Sequence, residues 1–336
     1  MLDGSGQRLH GRMLGHADLA EAQSLVPGWL PLAPQLRAAL PVIWARLLGH
    51  SGFNADVIED LNRPPGQRLV GLGVAIALDD AWRRRLADAP PPFAPALIYT
   101  GLQDGSYQLP SDKELARLSG RGEVAFLVLH YAQVLEDLSN PDTLEILDVA
   151  MTLFRQAHAG YRLQCLYQEG LGNQGAYLRS MGFLPRTARG QDGVPELYGL
   201  SRDEAMRLLP GAPVRNAFQF TPPRFGFSPA ERRLLRLAVT QLTDGEIGDE
   251  LGVSPHGLKK LWRSVHQRAV QAMPDLFDGP PVSAADSGTR GPEKRRALLQ
   301  YLRQHPEELR PYQAPSPSSG QDIGTPSGAT GSTVPK

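Results

Sequence analysis

Three helix starts crowd into residues 227–270, FSPAERRLLRLAVTQLTDGEIGDELGVSPHGLKKLWRSVHQRAV. No other stretch so limits what the chain can fold into. Ser228-Pro229-Ala230-Glu231 has the form of a capping box, with proline at the first helical position, where no backbone donor is needed. Thr243-Asp244-Gly245-Glu246 repeats the box, and Ser254-Pro255 is a third cap. Only Gly252-Val253 separates the second and third helices, which leaves room for a tight helix-turn-helix corner and little else.

The residues between the caps have faces. In the first helix Leu234, Leu235, Leu237 and Ala238 turn inward. In the second Ile247 and Leu251 lie four apart, and Val253 fills the corner. In the third Leu258, Leu261, Trp262, Val265 and Ala269 form an apolar stripe. The other face of the third helix carries His256, Lys259, Lys260, Arg263 and Gln267. From Ser254 to Val270 the cations Lys259, Lys260, Arg263 and Arg268 meet no acidic residue, whereas the second helix holds Asp244, Glu246, Asp249 and Glu250. A run of charge commonly just solvates an outward face. On the third helix of such a unit it also suits phosphates and a major groove.

This frame resembles the LuxR/FixJ-type helix-turn-helix. The matching residues are Ser228, Glu231-Arg232, the Leu234/Leu235/Leu237 stripe, Leu242-Thr243, Glu246-Ile247, Leu251, Val253-Ser254 and Leu258-Lys259. The resemblance implies a transcriptional regulator that binds double-stranded DNA as a homodimer. It implies DNA contacts from Thr243, Ser254, His256, Lys259, Lys260, Arg263 and Gln267. Gly257 and Leu261 depart from the family pattern, which usually has threonine and histidine there. A fourth, dimerising helix is expected near residue 270, where MPDLFDGPPV intervenes instead.

Before this unit, strands alternate with helices. A short strand leads into a helix over 9–25, and 35–49 is helical with Pro41 inside. Arg68–Leu78, RLVGLGVAIAL, reads as a buried strand. Asp79-Asp80 cap a helix through Ala87, Ala96–Thr100 reads as a strand, and Ser111–Glu114 opens a helix. Strand Glu123–Val134, helix Pro141–His158, strand Tyr161–Tyr167, helix Gln174–Met181 and strand Leu197–Leu200 follow. The order implies helices packed on a central sheet.

With Gly175-Ala176-Tyr177-Leu178-Arg179-Ser180-Met181-Gly182-Phe183, this order is similar to the GNAT acyltransferases. That family holds the pyrophosphate of acyl-CoA on a glycine-rich turn at the start of the helix after the central strand. Here the junction is VLEDLSNPDTLEIL, with no glycine and with Glu136, Asp137 and Asp142. The resemblance therefore implies the fold without acetyl-CoA catalysis: a module for assembly, or for sensing a small-molecule or protein signal. His130, Tyr131 and His158 read as ordinary strand and helix residues, and the three carboxylates as surface charge.

The formal net charge is zero, so nucleic-acid binding would need a local patch. The lone cysteine, Cys165, reads as a small buried hydrophobe in a reducing cytoplasm. No apolar run is long enough to span a membrane. The expected fold class is α+β: a GNAT-like α/β domain over 1–205, a linker over 206–225, an all-α LuxR-type helix-turn-helix over 226–273, a loop over 274–291, a helix over 292–310 and a disordered tail over 311–336. The expected function is non-enzymatic DNA binding with no catalytic residue, cofactor or metal. The alternatives are an acyltransferase with an accessory helix-turn-helix, or a helix-turn-helix used to meet a protein.

Overall fold

The computed structural model describes residues 8–187, 192–240, 242–277 and 290–313. A mixed seven-stranded sheet runs in the order β1-β2-β3-β4-β5-β7-β6. Its strands are β1 Leu9–Met13, β2 Phe53–Asp60, β3 Leu69–Ala77, β4 Val124–Gln133, β5 Leu163–Gly170, β6 Leu184–Pro185 and β7 Glu196–Ser201. Every neighbouring pair is antiparallel except β4 and β5.

Helices α1 Leu19–Ser24, α2 Pro34–Leu47, α3 Asp80–Asp88, α4 Ala94–Asp104 and α5 Asp112–Arg121 precede or flank β4 in the chain. Helices α6 Pro141–His158, α7 Asn173–Ser180, α8 Arg202–Arg207 and α9 Pro213–Ala217 follow. One face of the sheet, including Val57, Leu72, Val74, Ile76, Leu127 and Leu129, packs on α2 and α4 through Leu40, Trp44, Ile98 and Tyr99. The other face carries Phe126, Val128, Leu166 and Leu200 beneath Leu118, Leu178 and Ala205, with Ile146 and Leu153 of α6 over Ile58 and Val70. Covered on both faces, β3 is apolar nearly throughout, as a central buried strand must be.

Two segments differ from the sequence reading. Residues 96–100 belong to α4, not to a strand. Pro95 sits in the first helical turn, and the buried residues Pro95, Ile98, Tyr99 and Leu102 recur at helical spacing. A five-residue apolar window looks alike in either state. Strand β2, FNADVIED, was not anticipated, because its alternation mixes Asn54 and Asp56 with Ile58 on one side. The proline-rich stretch read as a linker holds α9, whose Val214 and Ala217, with the following Phe218, are buried against the sheet domain.

The C-terminal helices are α10 Pro229–Val239, α11 Asp244–Leu251, α12 Pro255–Ala272 and α13 Arg290–Gln304. The caps form as their residues dictate. Ser228 and Glu231 close a box at α10, Thr243 and Glu246 close one at α11, and the Ser254 side chain accepts from the Gly257 amide at 3.2 Å. Gly252 ends α11 at φ 64°, a left-handed conformation that glycine adopts without a Cβ penalty. Leu234, Leu237, Ile247, Leu258, Trp262 and Val265 pack with Leu298 and Leu302 of α13 in one core.

These helices are bound into the sheet domain by α10. Arg236 donates to the Gly49 carbonyl at 2.6 Å, and Arg232 and Arg236 both reach Asp112 at 3.5 Å. Burial works against the Asp112 carboxylate, but Arg236, Ser51 and Arg232 outweigh it and hold its pKa below the usual range. Behind α13, residues 306–312 return to the sheet domain. There Arg310 is buried against the end of α6. The tail expected to be disordered lies outside the described residues from 314 onward, as does the loop over 278–289. Among the described residues no helix is long and apolar enough to cross a membrane.

Candidate active site where two strands part

The parallel pair β4 and β5 is joined only from Val124–Leu163 to Val128–Gln168. Both strands run on past that point. On its other side β4 stays paired with β3, with Val74 opposite His130 and Ala75 opposite Val128. Leu129 is thus an extra residue, a bulge that bends β4 and increases its twist. Beyond it the side of β4 facing β5 has backbone groups with no strand partner among the described residues.

A cavity of about 100 Å³ opens beneath this parting and runs under α6 and α7 as far as β2. Its walls are largely apolar: Ile58, Leu72, Val128, Met151, Phe154 and Leu178. A few polar groups interrupt them, the combination expected of a ligand site. Near the parting lie Gln168, Gln174, Tyr131 and Tyr177. The Tyr131 hydroxyl donates to Gln133 at 2.5 Å. Burial, reinforced by Tyr177, raises the Tyr131 phenol. Burial, and then Asp148, also raises the Tyr177 phenol. Both are therefore protonated near neutrality and able to give a proton.

At the β2 end lie Asn54, Asp56 and His158. Asp56 is partly buried and lines the cavity. Burial raises its carboxyl to about 7, partly offset by the charge of Arg310. His158 sits at the buried end of α6. Desolvation lowers its pKa to about 4, so the ring is neutral. Its Nδ1 bonds the Phe154 carbonyl at 2.7 Å and so carries the hydrogen, leaving Nε2 as an acceptor with no partner among the described residues.

The opposite face of the sheet holds a second set of buried polar groups. Trp44 donates to the Tyr99 hydroxyl at 3.3 Å, and that hydroxyl meets His130 Nε2 at 3.0 Å. Since Trp44 can only donate, the Tyr99 proton goes to His130. Burial depresses His130 to about 3, so it is a neutral core histidine. Glu169 of β5 accepts from the Ala94 amide at 2.8 Å, capping α4 from across the sheet. Burial raises its carboxyl to about 8 in spite of the Ala94 and Phe93 amides. Cys165 is buried and its thiol pushed up to about 11 by desolvation, a small core residue as read from the sequence.

The start of α6 offers no phosphate cradle. The Asn140 side chain accepts from the Asp142 amide at 3.0 Å, Asp137 takes Ser139, and Asp142 pairs with Arg8 at 2.9 Å. Glu136 and Asp137 are exposed beside it.

Of the residues expected to touch DNA, Thr243 and Ser254 are spent as N-caps. His256, Lys259, Lys260, Arg263 and Gln267 are exposed on α12. Lys259 and Arg263 do not stand on a free outer surface. They line a groove closed on its far side by Arg295, Arg296 and Arg303 of α13. Arg295 lies over the Trp262 ring at 3.9 Å and pairs with Asp244 at 2.8 Å, so α13 covers one flank of the third helix. Leu261, where the family pattern breaks, is half-buried against the helical core.

No family model matches the chain, and no curated protein matches it. Solved structures do. FeeM, an N-acyl amino acid synthase from uncultured soil microbes, aligns at 14% identity over 62% of this chain and 97% of its own, with a TM-score of 0.35. A spermidine N-acetyltransferase SpeG variant from Vibrio cholerae aligns at 9% identity over 58% and 95%, with a TM-score of 0.34. AtaT complexed with acetyl-methionyl-tRNAfMet aligns at 12% identity over 59% and 97%, with a TM-score of 0.32. At these scores the likeness is one of outline, and no residue role is taken from it.

These neighbours are acyl- and acetyltransferases, and the expectation of a non-enzymatic regulator whose main partner is double-stranded DNA is corrected accordingly. The physical reason agrees. The long-range organisation of the chain centres on a parted sheet with a ligand-sized cavity, a feature that no local run of residues displays. The GNAT-like outline, a mixed α/β sheet flanked by helices, is present.

Proposed function

We propose that the protein is an acyltransferase that moves an acyl group from a thioester to an amine. The observation that carries this reading is the parting of β4 from β5 over a narrow, mainly apolar cavity. An extended arm with amide groups pairs naturally with the free edge of β4, as peptides do with a sheet edge. An alkyl chain entering behind it fills the cavity and leaves its thioester at the mouth, near Gln168 and Tyr177.

In the reaction the amine nitrogen forms a bond to the carbonyl carbon and the carbon–sulfur bond breaks. The amine loses a proton and the leaving thiolate takes one. Tyr177, protonated and half-buried at the mouth, is placed to supply that proton. The capped, acidic start of α6 bears on how the donor's phosphate end is held. It does not bear on acyl chemistry at the parting, so the missing glycine turn is no argument against turnover.

The test is release of free thiol from acyl thioesters by the full chain in the presence of primary amines. Ala150→Phe, which fills the cavity from α6, is expected to abolish release. Tyr177→Phe is expected to lower kcat by roughly 10²-fold or more, the scale of a general acid. Release that is unchanged by both substitutions would remove this site from the chemistry. No thiol release with any primary amine would remove the activity.

A further inference from the structure

The cavity's inner end differs from its walls, and the difference names a ligand. From Gln168 on β5 to Asp56 on β2 the cavity passes beneath three strand intervals, about 14 Å at ~4.8 Å each. A zigzag of ~1.5 Å bonds at ~111° advances about 1.25 Å per atom, so the span matches roughly ten carbons. Volume gives a similar answer. A cavity of about 100 Å³ holds roughly seven to ten water-sized groups at ~10–15 Å³ each, and a methylene is such a group.

Along most of that path the chain would meet only hydrocarbon. At the end it meets acceptors. Asn54 is already used, donating to the Ala157 carbonyl at 2.8 Å and accepting from Arg310 at 3.2 Å. Asp56 has no hydrogen-bond partner among the described residues, and neither has His158 Nε2. An unpaired acceptor on the wall of a mainly apolar space is costly unless a donor satisfies it. An ammonium is opposed by the nearby charge of Arg310. A neutral hydroxyl is not, and it suits Asp56.

We propose that the cavity selects an acyl chain of about eight to ten carbons bearing a hydroxyl near its far end, with Asp56 as the residue that reads the hydroxyl. This deepens the acyltransferase reading and rests on it for the direction in which the chain enters.

The experiment titrates the full chain calorimetrically with N-acetylcysteamine thioesters of acetate, decanoate and 10-hydroxydecanoate, which carry the thioester and no phosphate. The hydroxylated chain is expected to bind about tenfold more tightly than decanoyl, the scale of one buried hydrogen bond. Acetyl is expected to bind weakest. Asp56→Leu should reverse the preference between the two long chains, and Asp56→Asn, which keeps an accepting oxygen, should retain part of it. Equal affinity for the two long chains, or a preference that survives Asp56→Leu, overturns the proposal. The two readings fail separately. Long-chain binding with the hydroxyl preference but no thiol release removes the transferase and keeps the ligand. Turnover of acetyl thioester without long-chain binding does the reverse.

Discussion

Arg310 ties the end of the C-terminal helical unit to the sheet domain, and its removal has a cost that can be worked from its contacts. The guanidinium donates to the carbonyls of Ala157 at 2.7 Å, Gln156 at 3.2 Å and Ala159 at 3.2 Å, and to the Asn54 side chain at 3.2 Å. It also lies 4.8 Å from the Tyr161 ring centre. The three carbonyls belong to the end of α6, where Gln156 keeps only a long bond of 3.3 Å from the Ala159 amide and a cation opposes the helix dipole favourably. Bonds from a charged donor contribute about 1.5–3 kcal/mol each. They cannot simply be added, because water enters the space that Arg310→Ala opens. The loss of one partner from a buried charged network, about 3–5 kcal/mol, is the fitting scale. For a chain of this size each kcal/mol shifts Tm by about 2–4 °C, so the variant should melt roughly 6–20 °C lower. Urea unfolding followed by circular dichroism measures the free energy. Trypsin cleavage within 290–304, faster than in the parent chain, reports release of the C-terminal segment. Arg310→Lys should recover only part, since an ammonium cannot reproduce the planar fork. A loss below about 1 kcal/mol for Arg310→Ala would show that these acceptors find other donors, and would refute the anchoring argument.

Four further outcomes follow from the same geometry. Gly160 has φ +83°, and a Cβ there would lie 2.5 Å from the Glu307 Cα, so Gly160→Ala should cost about 2 kcal/mol or more and mimic Arg310→Ala in proteolysis. The folded pKa of His158, about 4, lies below the 6.5 of a free imidazole, so its contribution is present above pH 6.5 and is lost as pH falls toward 4. The free-energy gap between the parent chain and His158→Leu should shrink by about 3 kcal/mol across that window, and a gap independent of pH would contradict the buried neutral ring. Asp56 and Glu169, raised by burial to about 7 and about 8, act in the opposite sense, favouring the fold as pH falls below those values. Glu231 is 2% exposed, accepts from Ser228 and Ser264, and pairs with Arg268 at 3.1 Å. Glu231→Ala should therefore unfold the C-terminal helices at lower urea, by about 2 kcal/mol or more, whereas an effect of a few tenths would mark the box as a surface cap.

Local chemistry was readable from the residues alone. Capping boxes, a glycine corner and apolar stripes are set by neighbours three and four positions apart, so the ends of α10, α11 and α12 follow from their own residues. The continuous apolar run of β4 made that strand legible as well. The five-residue window at Ala96 was not, because it carries too few residues to separate a period of two from one of 3.6. Nor was β2, whose polar Asn54 and Asp56 look like surface residues until α6 is laid over them.

What only the tertiary structure decided is the placement of partners distant in the chain. The bulge at Leu129 parts β4 from a strand some forty residues later. Asp56 and His158, about a hundred residues apart, both line one cavity. The cations of α12 are exposed, yet α13 closes one flank of the groove that Lys259 and Arg263 line. Hydrogen bonds within a helix turn are written in sequence order. Desolvation, cavity shape and cross-sheet contacts depend on what the folded chain brings alongside, and on this protein they decide the function proposed.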